Sequence, residues 1–168
     1  MDSNAIKALQ APLKSRYRET PEAARITLRR EGTLGEGVTC SVATGRALVE
    51  AGLHPATGGN GLSACSGDML LEALVACAGV TLNAVATALD MPVRGATVRA
   101  EGDLDFRGTL GVAKEAPVGF TDIRLAFAID GDLTEEQRAT LEKLTERYCV
   151  VFQTLKVPPK LSVSLTSA

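Results

Sequence analysis

Residues 70–89 read LLEALVACAGVTLNAVATAL, and a stretch this rich in alanine and leucine predicts a helix apolar on almost every face. Its length is close to that of a membrane span. Glu72, Thr81, Asn83 and Thr87 interrupt it, however, and Asp68 and Asp90 bracket it. The prediction is therefore a buried core helix. Such a helix needs cover on more than one side. Ala73, Ala76, Ala78 and Gly79 carry little bulk, so another backbone can approach closely. At its centre stands Cys77, whose purpose the rest of the chain has to decide.

The 168 residues are enough for one domain with a substantial core. A formal net charge of −2 gives no electrostatic case for nucleic acid or an anionic membrane. With no Trp and only two Tyr and four Phe there is no stacking platform for bases either. The N-terminus lacks a continuous apolar run of signal-peptide type, and a cytoplasmic location is expected. The four cysteines, at 40, 65, 77 and 149, form no CxxC pair, and His54 is the single histidine. Neither a metal site nor a cofactor is expected from that set. In a reducing compartment the thiols stay free, and each one alone reads as a small buried hydrophobe.

Residues 1–24 read as an N-terminal arm or short helix, broken at Pro12 and ended at Pro21, with residues 25–168 as the domain. ARITLRREG, VTCSVA and TGRALVEAGL are strand-like and separated by turn signals, a small meander. HPATGGNGLSACSGD is a glycine-rich connection in which Ser66 is the expected N-cap and Asp68 suits the first turn. It has no lysine after its second glycine, so phosphate cradling is unsupported. VRGATVRAEGDLDF and GFTDIRLAFAID are two long strands, the second with Ile123, Leu125, Phe127 and Ile129 on one face. DLTEEQRATLEKLTERYC is an amphipathic helix opened by a Thr134–Gln137 capping box, with Leu141, Leu144 and Tyr148 as its stripe. Cys149 falls at its end, and KLSVSL is expected as a closing strand. The order predicts an α+β fold with helices packed on antiparallel sheet.

GDMLLEALVACAGVTL resembles the helix motif of the OsmC/Ohr family, the osmotically induced and organic-hydroperoxide-resistance proteins. ERYCVVFQTL is similar to the family's second cysteine motif, although Val150 stands where a proline commonly follows that cysteine. The resemblance spans about residues 25–165. It implies an antiparallel sheet wrapped around a buried central helix, in an intertwined homodimer with active sites at the subunit interface. It also implies that Cys77 is the peroxidatic cysteine and Cys149 the resolving one. Such an enzyme reduces organic hydroperoxides and is recharged by an external dithiol reductant. The family's arginine in the early glycine-rich turn is missing from EGTLGEG, so Arg29, Arg30 or Arg46 is left to support the thiolate, with Asp68 as the carboxylate. Two other readings stay open. One is a dimeric small-ligand binding protein in which Cys77 only packs. The other is a thiol redox sensor in which Cys40 or Cys65 takes part.

Overall fold

The computed structural model describes residues 3–34, 40–42, 51–62 and 64–165. Helix α1 (Ser3–Glu19) leads through a 3-10 turn (Pro21–Ala24) into β1 (Arg25–Leu34) and β2 (Cys40–Val42). A second 3-10 turn (Pro55–Thr57) precedes the long α2 (Ser66–Ala88). Then come β3 (Val93–Asp105), the single turn α3 (Phe106–Thr109), β4 (Phe120–Gly131), α4 (Glu135–Tyr148) and α5 (Val150–Lys156). The strands form one antiparallel sheet in the order β2-β1-β3-β4. The expected α+β class is observed.

Helix α2 lies on the sheet and carries the core. Leu71, Leu74, Val75, Ala78, Leu82 and Ala86 recur at helical spacing and are all buried. On β3 the buried apolar residues are the even ones, Ala96, Val98, Ala100 and Leu104, as a two-residue period requires. On β4 the odd residues Ile123, Leu125, Phe127 and Ile129 are half-buried and the even ones exposed. The outer face of the sheet is ionic: Arg99 pairs with Glu31, and Arg124 with Asp103 and Asp122. Helices α4 and α5 pack on further flanks of α2. Although α2 has the length and hydropathy of a membrane span, its buried stripe faces this protein interior. The described residues do not wrap it completely. Met69, Leu70, Ala73, Val80 and Ala84 are exposed.

The structure departs from the sequence reading at several points. Pro12 does not break α1, which runs through it. The carbonyl that proline leaves unbonded belongs to Ala8, and both residues are exposed, so it faces solvent rather than the core. The N-cap of α2 is Cys65 rather than Ser66, because extended backbone persists through the Ala51–Ala64 bridge to residue 65. The capping box at Thr134 and Gln137 is present. Tyr148, expected on the buried stripe of α4, is 56% exposed, and Thr145 takes the inward position beside Leu141. The expected closing strand is absent: Leu161, Val163 and Leu165 are 81–98% exposed and pair with nothing. A strand exists only where a partner offers its amides, and within one chain this segment lies beside no free edge it uses. The strand expected at residues 44–53 falls mostly outside the described residues.

Candidate active site

Cys77 sits at mid-length on α2, and Cys149 occupies the joint between α4 and α5. The apolar stripe of α2 draws that joint inward. Cys149 belongs to the same buried cluster as Leu71, Leu74, Val75 and Ala78, with Cys77, Val151, Phe152 and Leu155 packed against it. The two thiols are thereby packed in one cluster as neighbours. They are unequally covered: Cys149 is 0% exposed, whereas Cys77 is only half-buried.

Cys149 closes one helix and opens the next. Its amide donates to the Thr145 carbonyl at 3.0 Å, and its own carbonyl accepts from the Gln153 amide at 2.9 Å. Burial pushes its thiol up to about 11, opposed by the Phe152 and Val151 amides that point at the sulfur and reinforced by the contact with Cys77. At neutral pH Cys149 therefore keeps its proton. A thiol whose folded pKa is raised stabilises the fold fully below its unfolded value of 9.0, and that contribution is lost as pH rises toward 11. In reducing buffer, wild type is expected to lose about 2–3 kcal/mol more than Cys149→Ala between these limits, measured by urea unfolding at each pH.

A cavity of about 670 Å³ lies next to this cluster, walled by Leu70, Leu74, Ile123, Leu125, Phe152 and Leu155, with Thr121, Asp122 and Lys156 at its polar end; the thiols themselves do not line it. Leu74 is one helical turn before Cys77, and Phe152 lies just beyond Cys149, so each thiol has a neighbour in the wall.

The remaining sequence candidates lie as follows. Arg29 and Arg30 are in β1, opposite Glu101 and Ala100 of β3, and their side chains are outside the described set. Arg46 lies outside the described residues altogether. Asp68 is in the first turn of α2, and its nine-residue spacing from Cys77 amounts to about 13 Å along the axis. Cys65, twelve residues before Cys77, is about 18 Å away by the same measure. It lines a second cavity of about 420 Å³ with His54 and Phe106, which shares Leu70, Gly119 and Phe120 with the first. Cys40 is in β2, its side chain likewise outside the description. The contribution of Phe152 and Leu155 was not foreseen, since VVFQTL is too short to show a helical period clearly. Nor was Thr145, whose buried hydroxyl, one turn before Cys149, has no hydrogen-bond partner.

Comparison with known proteins agrees with this architecture. The sequence profile of a family described as OsmC-like protein matches residues 58–164. The fold is similar to the crystal structure of an OsmC-like hydroperoxide resistance protein from Jannaschia sp. CCS1, with a TM-score of 0.59 at 17% identity, covering 86% of this chain and 95% of that one. Comparison with curated proteins gave no match. With the profile covering both cysteine motifs and most of the domain, the chain belongs to the OsmC-like family.

Proposed function

We propose that the protein is a cytoplasmic thiol peroxidase that reduces organic hydroperoxides, with Cys77 as the attacking thiolate and Cys149 as the resolving thiol. The observation that carries this reading is the contact between one half-exposed and one fully buried thiol. Only Cys77 is open to a peroxide, while Cys149 waits in its protonated form. The Cys77 thiolate attacks the distal peroxide oxygen, the O–O bond breaks, and the departing alkoxide takes a proton to leave as alcohol. Cys77 is then a sulfenic acid. The Cys149 sulfur displaces its hydroxyl, which leaves as water with the Cys149 proton, and a disulfide forms. An external dithiol returns two electrons and two protons. The apolar cavity favours an alkyl hydroperoxide over hydrogen peroxide. The half-exposed apolar face of α2 supports a homodimer, since a second copy would give that face the cover one sheet does not.

Peroxide treatment of the reduced protein tests the reading. Two thiols should be lost, and mass spectrometry should find Cys77 joined to Cys149. In Cys149→Ser, the same treatment should leave Cys77 as sulfenic acid and carry it on to sulfinic acid. Retention of all thiols at millimolar organic hydroperoxide would turn the assignment toward the ligand-binding reading, and loss from Cys65 or Cys40 first toward the redox sensor.

A further inference from the structure

On the inward stripe of α4, Leu141, Thr145 and Cys149 follow one another at helical spacing and are 0%, 1% and 0% exposed. Valine has the shape of threonine and would fill the middle position without a polar atom. The Thr145 hydroxyl has no hydrogen-bond partner among the described residues. A helical threonine ordinarily turns its hydroxyl back to the carbonyl four residues earlier, as Thr81 does at 2.8 Å to the carbonyl of Cys77. Thr145 does not take that outlet, and a buried hydroxyl left without a partner weighs against the fold.

Its position says what the hydroxyl is kept for. Leu141 belongs to the cluster of Leu82 and Ala86, and Cys149 to that of Leu74 and Ala78. Helix α4 therefore runs along α2 in the opposite direction, and Thr145 faces it between the two clusters. Positions four apart on a helix stand about 5–6 Å apart at Cβ, so the next side chain along the stripe is Cys149. In the resting state that sulfur is a poor acceptor, since a thiol accepts weakly and burial keeps this one protonated.

We propose that the Thr145 hydroxyl donates a hydrogen bond to the Cys149 sulfur while that sulfur attacks Cys77, and so acts in the resolving step alone. The proposal rests on the peroxidase reading given above. As the S–S bond forms and the S–O bond of the sulfenic acid breaks, the Cys149 proton leaves with the departing hydroxyl as water. The sulfur carries negative charge on the way, and at 0% exposure it has no solvent to share it with. The Thr145 hydroxyl turns about χ1 to meet that charge and keeps its own proton throughout. An interaction absent in the ground state and made in the transition state acts on the rate. The Val151 and Phe152 amides approach the same sulfur from α5, and Thr145 adds a donor from α4.

The test mixes one equivalent of an organic hydroperoxide with the reduced protein and quenches at intervals. Mass spectrometry reads dimedone-trapped Cys77 sulfenic acid and the Cys77–Cys149 disulfide. Thr145→Val should form the sulfenic acid at the wild-type rate and the disulfide at least about tenfold more slowly. Its urea midpoint in reducing buffer should equal or exceed that of wild type, because a methyl replaces the unpartnered hydroxyl. Thr145→Ser and Thr145→Ala differ from each other by the hydroxyl alone, which keeps the comparison open if valine disturbs the joint. Serine should resolve within about threefold of wild type, and alanine should share the valine defect. Resolution at the wild-type rate in Thr145→Val or Thr145→Ala overturns the inference. So does equally slow resolution in serine and alanine, which would assign the effect to packing. Wild type that forms neither sulfenic acid nor disulfide removes the peroxidase reading beneath it, whereas sulfenic acid that resolves alike in every variant overturns the Thr145 role alone.

Discussion

Cys77→Ser is expected to lower organic-hydroperoxide consumption, assayed with a dithiol reductant, by at least about a hundredfold. A serine hydroxyl is nearly isosteric with the thiol but is not ionised at any working pH, so it does not open an O–O bond. The position is half-buried on a well-formed helix, and the stability change should stay within about 1 kcal/mol. Unfolding curves recorded alongside the rates separate the two effects. Equal rates in wild type and variant, with the wild-type thiols confirmed reduced, would leave the sulfur a packing atom. Cys149→Ser should behave differently. The first turnover survives in it, because the attacking thiol is intact, and later turnovers fail as Cys77 over-oxidises.

Tyr17→Ala should be the most damaging change outside the site. Tyr17 is 2% exposed, packs in the cluster that holds Leu71 and Leu74, and donates a 2.6 Å hydrogen bond to the Ala56 carbonyl. Truncating a buried aromatic costs about 3–5 kcal/mol, and here it also strands that carbonyl. Tyr17→Phe keeps the ring and should cost only about 1 kcal/mol. Chemical denaturation of the three proteins measures both steps. A loss below about 1 kcal/mol in Tyr17→Ala would mean that α1 is an appendage. A loss of the expected size would make the helix before residue 25 a working part of the core, since Leu13 and Ala24 pack there too.

The parts of the fold with a strong period were legible in the sequence. The α2 stripe, the alternation in β4 and the Thr134 capping box each announce themselves within one element. What escaped was decided by contacts between elements. Pro12 argued for a break, but the docking of Leu13 beside it and of Tyr17 five residues on outweighs one missing hydrogen bond. Tyr148 and Thr145 are both compatible with the stripe of α4, and only the position of α2 selects Thr145. KLSVSL has the pattern of a strand, but pattern supplies no partner. For the site, the two cysteines were legible through their motifs, whereas the burial of one and the half-exposure of the other is a property of packing. The cavity walls at Phe152 and Leu155 come from a helix of seven residues, two turns that sequence periodicity barely registers.

The rows of ion pairs on the outer face of the sheet bear on how far association can go. Arg94 with Asp130 and Asp132, Arg99 with Glu31, and Arg124 with Asp103 and Asp122 are largely exposed, and each adds little to stability in salt water. Their effect is on neighbours. Covering that face would strip water from charges whose present partners already satisfy them, a loss no apolar surface repays. Among the described residues, the exposed apolar side chains of α2 lie on the opposite side of the sheet from these pairs. A sheet face covered in this way with satisfied charges resists face-to-face stacking of one copy on another, so the charge lattice acts as a brake on open-ended growth into stacks or fibres.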